Sequence, residues 1–353
     1  MPLTGVKLEN FTVFEKLEMD FSPGINVLIG PNGSGKTHLM KVLYSAIRAN
    51  IHDVSFNNKL TRCFTPDIYT ISRLIRKPDG NKPAFITVTG ENTQKSELFM
   101  KIIDNSASEP AGIYINFPLT VGAAQWTEDM GHIHSTFIPA GEILSHGFHL
   151  SPTHSDSVVS EGYMQYDDTY LDVLEAARNS VLSWDNTSEY QELLHKIEDK
   201  IGGKVSYSAE RDRFYLKSGD ISFEFSLVAE GFRKLGLLWR LIQNGYLANG
   251  SILFWDEPEA NITPSNIPLI VDTLLELQRG GVQIFLATHD YFLCRYFDVK
   301  REDTDRIQYH SFFRENGSVT AENGETFEGL SHNAIIDTSI NLYRDEVDRV
   351  LKE

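Results

Sequence analysis

Eight consecutive residues, Gly30-Pro31-Asn32-Gly33-Ser34-Gly35-Lys36-Thr37, satisfy the pattern G-x-x-x-x-G-K-[ST]. Glycines at these spacings let successive backbone N–H groups turn inward around a β-phosphate, and a helix starting at Lys36 adds its positive end. Lys36 then reaches the β- and γ-phosphates, and the Thr37 hydroxyl can ligate Mg²⁺. The nucleotide contacts expected here are Gly30, Asn32, Gly33, Ser34, Gly35, Lys36 and Thr37, with ATP and Mg²⁺ as the cofactors. The bland alternative is a glycine-rich turn of no function. The context rejects it, because Ile25 to Ile29 reads as a buried strand and Leu39, Met40, Val42, Leu43 and Ile47 recur at helical spacing.

Two further groups carry chemistry. Ile252-Leu253-Phe254-Trp255 leads into Asp256-Glu257, an apolar strand ending in paired carboxylates. Asp256 is placed to hold Mg²⁺ through water, and Glu257 to act as general base on an attacking water. Alone, such a strand end is commonplace and reads as a capped helix start; beside a phosphate loop it gains a role. His289 follows the strand Gln283 to Ala287 and is expected to contact the γ-phosphate as a switch. A single histidine after a strand is more often a packing residue, and only its position after Asp256-Glu257 favours the functional reading.

The elements that must position these groups are legible in patches. Val6 to Phe11 alternates as a half-buried strand and Leu17 to Phe21 forms another. Ile25 to Ile29, Ser251 to Trp255 and Gln283 to Ala287 are nearly all apolar, as strands covered on both faces of a parallel sheet are. Ala84 to Thr89, Gly112 to Phe117, Ser135 to Ile138, Lys204 to Ser208, Arg213 to Lys217 and Ile221 to Leu227 also read as strands. Helices are expected at Tyr170 to Val181, Ser188 to Ile201, Ala229 to Asn244 and Ile267 to Leu277, with amphipathic helix in the tail from Asn333. Ser151 to Tyr170 is polar and reads as a long loop or lid.

The chain has 353 residues with 32 Lys and Arg against 49 Asp and Glu, a net charge of -17. That length supports a substantial core. The acidity argues against a generic nucleic-acid footprint, though a local basic groove or one assembled by dimerisation stays open. Cys63 and Cys294 lack any metal-ligand spacing and read as reduced thiols. The N-terminus lacks an apolar signal core and no run is long enough for a membrane span, so a cytoplasmic protein without a membrane partner is expected.

Gly30 to Thr37, Asp256-Glu257 and His289, in this order and at these separations, resemble the ABC-type ATPases of the SMC, RecF and OLD group. Lys7-Leu8-Glu9-Asn10-Phe11 and Gly24-Ile25-Asn26-Val27-Leu28-Ile29-Gly30 begin as chains of that group do. Ala229 to Lys234 with Trp255-Asp256-Glu257-Pro258-Glu259-Ala260-Asn261 is similar to compact AAA-family ATPases of bacterial phage-defence operons. The resemblance implies an α/β fold: an ABC-type P-loop NTPase head, its mixed or parallel sheet flanked by helices, with an antiparallel β lobe and an α-rich insertion. It places the head at 1–50 and 204–320, the insertion at 51–203 and a helical tail at 321–353.

The family's signature presents a Ser hydroxyl and backbone amides to the nucleotide of an opposing subunit. Here Ala229 stands at the Ser and Glu230 at a glycine, leaving Gly231 to supply amides. Arg233 and Lys234 either restore positive charge there or form a solvated helix face. Ala140 stands at the family's Mg²⁺-contacting Gln, with Glu142 and Gln125 as the candidates to replace it. Thr12 stands where relatives use Arg, and Phe11 and Phe14 read as core. No sustained heptads interrupt the head, against the long coiled coil of SMC proteins. About sixty residues follow His289, too few for an added metal-dependent nuclease domain, and Asp303, Asp305, Glu322 and Glu325 read as solvated surface. The resemblance implies a homodimer or higher homo-oligomer that gates an effector, a nuclease or toxin, on another chain; the alternative is a RecF-like ATP-dependent DNA clamp.

Overall fold

The computed structural model describes residues 3–49, 54–67, 70–77, 82–104, 118–145, 166–179 and 190–352. At its centre lies a six-stranded sheet in the order β14-β13-β3-β12-β11-β7. Its strands are β3 (Ile25–Ile29), β7 (Ser135–Ile138), β11 (Ile252–Asp256), β12 (Gln283–Ala287), β13 (Ile307–Glu315) and β14 (Ser318–Gly324). All neighbours are parallel except β14, which returns antiparallel along β13. Alternate side chains divide between two cores, which explains the unbroken apolar runs. Ile25, Val27, Ile29, Leu253, Trp255, Ile284 and Leu286 face one core; Leu28, Ile252, Phe254 and Phe285 face the other.

The first core is closed by α4 (Asp168–Arg178), α5 (Gln191–Ile201), α6 (Glu230–Gln243), α7 (Ile267–Arg279) and α8 (Tyr291–Lys300). A small sheet of β8 (Lys204–Ser208), β9 (Arg213–Ser218) and β10 (Ile221–Glu224) packs beside α6 through Val205, and Phe225 just after β10 joins this core. The second core lies under α1 (Lys36–Arg48), α2 (Phe56–Phe64) and α3 (Ala123–Met130). It is roofed by a five-stranded antiparallel sheet in the order β2-β1-β4-β5-β6. Those strands are β1 (Leu3–Phe11), β2 (Phe14–Asp20), β4 (Ala84–Glu91), β5 (Lys95–Ile102) and β6 (Leu119–Val121). Phe137, Phe254 and Phe285 stack in series beneath α1, with centroids 6.2 and 5.1 Å apart.

Strand pairing crosses the boundary expected at residue 51. β4 pairs with β1 in the antiparallel sheet, and β7 pairs with β11 in the central one. The boundary expected after residue 320 falls inside β14. The expected strand at 112–117 and most of the expected lid at 151–170 lie outside the described residues. The tail forms α9 (Ala334–Lys352), whose Ile335 and Ile336 touch the core while Leu342, Tyr343 and Val350 are exposed.

Candidate nucleotide site

Because β3, β12 and β11 are parallel neighbours, their carboxyl ends open on one edge, where ligands of α/β sheets sit. The ladder sets the pieces side by side: Asp256 pairs with Ala287, and Ala287 with Leu28. Two further backbone bonds extend it, Thr288 N to Leu28 O at 3.0 Å and Glu257 N to Ala287 O at 2.9 Å. The loop after β3, the acidic pair after β11 and the histidine after β12 are thereby brought together.

The loop's conformation needs its glycines where backbone approaches closely. At Gly30 φ is 140°, and a Cβ there would lie 2.4 Å from the Phe312 carbonyl oxygen. At Gly35 φ is 90°, and a Cβ would meet the Phe14 ring at 2.4 Å. Phe11 and Phe14 are fully buried, so the β1–β2 turn is a wall of the loop. Lys36 is 6% exposed, and its Nζ donates to Gly30 O at 2.7 Å and Pro31 O at 3.2 Å. Burial lowers its pKa to about 8 despite Asp256, Glu257 and Glu259 nearby. Ser34 Oγ is buried and meets no hydrogen-bond partner among the described residues, while Asn32 and Gly33 are exposed at the tip. A buried ammonium resting on main-chain carbonyls, an unsatisfied hydroxyl and a glycine cradle fit a phosphate chain.

Thr37 Oγ1 donates to Asp256 Oδ2 at 2.9 Å, so the two groups expected at Mg²⁺ share one corner. Burial raises the Asp256 pKa, opposed by the Thr37 bond and helped by Glu257. His289 Nε2 lies 3.7 Å from Glu257 Oε1, and both side chains stay partly open, 33% and 40% exposed. Burial, then Lys36, lowers the His289 pKa, so the imidazole is neutral near pH 7 and the contact is not an ion pair.

Known proteins share this construction. A family model described as "AAA domain" matches residues 6–202, more than half of the chain. The chain belongs to this AAA-domain family. A second model, described as "AAA domain, putative AbiEii toxin, Type IV TA system", matches residues 134–295. The DNA replication and repair protein RecF of Staphylococcus epidermidis is 33% identical over 100 residues, 28% of this chain and 27% of the relative. The match thus spans about a quarter of the length of that curated relative. An SMC head solved bound to the C-winged helix domain of ScpA superposes with a TM-score of 0.57 at 13% identity, covering 92% of this chain and 98% of that one. The Pyrococcus furiosus SMC head with an extended coiled coil, bound to the C-terminal domain of ScpA, gives 0.56 at 12% identity over 98% and 99%. The fold is that of an SMC head.

Within this AAA-domain protein the other expected residues are placed as follows. Gly231 stands in the first turn of α6, its nearest neighbours Asn261 and Ile262, where a Cβ would be 2.6 Å from Asn261 O. Its N-cap residue is Ala229, whose side chain makes no capping bond. Arg233 and Lys234 are not a solvated face. Arg233 Nε lies 2.9 Å from Glu142 Oε2, and Lys234 is 2% exposed. That ion pair, with bonds from Ser145 N at 3.1 Å and Oγ at 2.6 Å, engages the Glu142 carboxylate. Gln125 is exposed on α3, whose Trp126 binds Ala46 O near the far end of α1. That end is about 14 Å along the helix from Thr37 at 1.5 Å per residue.

Two contributors escaped the sequence, and Lys234, weighed there as a positive charge or a solvated face, makes a different contact. Glu259 Oε1 accepts from Thr288 Oγ1 at 2.8 Å and His289 N at 2.9 Å, fixing the backbone at His289. Tyr170 lies against Gly141, within electrostatic range of Asp256. Lys234 Nζ donates to Glu257 O at 3.1 Å. Each partner is remote in sequence, and only the acidic pattern around Glu259 could have drawn attention. Asp305, expected on the surface, is 5% exposed and held by Arg279 Nε and Nη2 at 2.8 and 2.7 Å.

Proposed function

We propose that this chain binds ATP with Mg²⁺ on the edge formed by β3, β12 and β11 and hydrolyses it to ADP and phosphate. The observation that carries the reading is the convergence of Thr37, Asp256, Glu257 and His289 beside the Gly30–Thr37 loop. Gly30, Asn32, Gly33, Ser34, Gly35 and Lys36 cradle the phosphates, while Thr37 and Asp256 hold the metal. Mg²⁺ supplies charge neutralisation at the phosphate oxygens. Glu257, partly open at the edge, accepts the proton of the attacking water, and neutral His289 donates a hydrogen bond toward the γ-phosphate. In this reading Gly231 offers backbone amides to a nucleotide held by a second copy, so turnover belongs to a homodimer or larger homo-oligomer.

Phosphate release by the purified protein tests the chemistry. Glu257→Gln should retain ATP while losing about 100-fold or more in turnover, the usual contribution of a general base. Parental turnover in that variant would sink the assignment.

The reading extends to a regulatory ATPase whose ATP-bound state gates a separate effector, a nuclease or toxin, in anti-phage defence. The match to a model described by a toxin–antitoxin system supports it. A RecF-like DNA clamp is the second reading, favoured by the 33% identity to RecF over 100 residues and opposed by the net charge of -17. Purifying Glu257→Gln from its native host with ATP separates them. A stoichiometric protein partner favours gating; nucleic acid alone favours the clamp.

A further inference from the structure

A buried ammonium must find an acceptor, and the acceptor that Lys234 finds is informative. Its Nζ donates to the main-chain carbonyl of Glu257 at 3.1 Å from a side chain 2% exposed. Glu257 has φ of 47°, the left-handed region that a residue with a side chain adopts rarely. Such a conformation persists when its surroundings over-determine it. Here the Glu257 N–H is fixed by Ala287 O at 2.9 Å and its carbonyl by Lys234. The same helix grips the turn further along. Asn261 Nδ2 donates to Glu230 Oε1 at 2.7 Å, and Gly231 admits the Asn261 carbonyl where any Cβ would collide.

We propose that Lys234 is a positioning residue for hydrolysis. By holding the Glu257 carbonyl, it fixes the backbone from which the Glu257 carboxylate meets water. The inference rests on the ATPase reading above and deepens it, because the base then depends on where α6 sits. Lys234 joins α6 to the backbone of the base within one subunit. A shift of α6 is therefore felt at Glu257 without passing through the phosphate loop.

Lys234→Met keeps the apolar stem and removes the donor. Misplacement of a reacting group by about 1 Å costs on the order of 100-fold, so kcat should fall about 10- to 100-fold, with KM for ATP and affinity for a fluorescent ADP analogue within about threefold. In a Glu257→Gln background, Lys234→Met should bring no further loss, since it acts through that carboxylate. Turnover within about twofold of the parent overturns the proposal. So does a parallel loss of nucleotide affinity, or a loss that adds to that of Glu257→Gln, because a structural lysine would give either. If Lys234→Met does not fold, Lys234→Gln decides: its amide is one bond too short to reach Glu257 O, and full activity there overturns the proposal. A parent whose turnover Glu257→Gln leaves intact removes the general-base assignment instead, and a parent that releases no phosphate removes the ATPase reading; both are recognised before any Lys234 variant is made.

Discussion

Asp129 in the antiparallel lobe and Asp256 at the edge of the parallel sheet are both buried, and their surroundings are opposite. Asp129, 1% exposed, accepts from Thr93 N at 2.9 Å, Thr93 Oγ1 at 2.6 Å, Ser96 Oγ at 3.1 Å and Asn92 N at 3.3 Å. Burial pushes its pKa up, yet those donors outweigh it and bring the group down to about 2. Asp256, 9% exposed, accepts from Thr37 Oγ1, and burial carries its pKa upward, with Glu257 adding to the rise. A carboxylate given enough donors stabilises the fold by closing a hairpin. One left short of donors costs stability and stays available to a cation, which is how functional sites hold perturbed groups.

The contrast can be broken at the nucleotide side first, where the effects are largest. Lys36→Ala removes the ammonium that faces the phosphates and should abolish detectable ATP binding, a loss of about 1,000-fold or more by the scale of charge-assisted contacts in a closed site. Isothermal titration checks it, and retained affinity would overturn the loop assignment. Asp256→Asn should come next, losing Mg²⁺-dependent turnover by about 100-fold while leaving Asp129→Asn indistinguishable from the parent in the same assay. Equal losses in both variants would mean that the two aspartates do not differ in role.

How far the sequence announced this arrangement depends on where each residue's partner lies. β3, β7, β11 and β12 were legible because both faces are covered, so most positions are apolar, and β3, β7 and β12 match the expected bounds. β13 belongs to the same sheet and was missed. Its centre is Tyr309-His310-Ser311, and the fully buried His310 has its ring nitrogens 3.1 and 2.8 Å from Asn26 Oδ1 and Asn323 Oδ1, polar residues that no apolar strand pattern would flag. β5 was missed because charged residues alternate through Lys95-Ser96-Glu97-Leu98-Phe99-Met100-Lys101-Ile102, on a sheet with one open face. The phosphate loop and acidic pair are local patterns and could be read directly. Glu259, Tyr170 and the burial of Lys234 and Asp305 could not, since burial of a charge or phenol is decided by a partner brought in by the fold.

Stability sharpens the comparison at a smaller scale. Replacing Asp129 by Asn removes charge from an acceptor of four hydrogen bonds and should cost about 1–3 kcal/mol at pH 7. Asp256→Asn should instead raise the midpoint of the nucleotide-free protein slightly, by about 1 kcal/mol or less, because it removes a buried charge short of donors. The two differences should then respond to acid from opposite sides. The folded pKa of Asp129 is below the ordinary aspartate value near 3.9, so its stabilisation is complete above that value and is lost as pH falls through about 2. For Asp256 the folded pKa is raised, so its penalty is present above that raised value and is relieved as the carboxyl takes up its proton. Urea unfolding of the parent and both variants from pH 7 to about pH 2.5 should show the Asp256→Asn advantage vanishing first and the Asp129→Asn deficit narrowing only at the acid end. If the Asp129→Asn deficit closed already near pH 5, its hydrogen-bond cage would not be holding the ionised form.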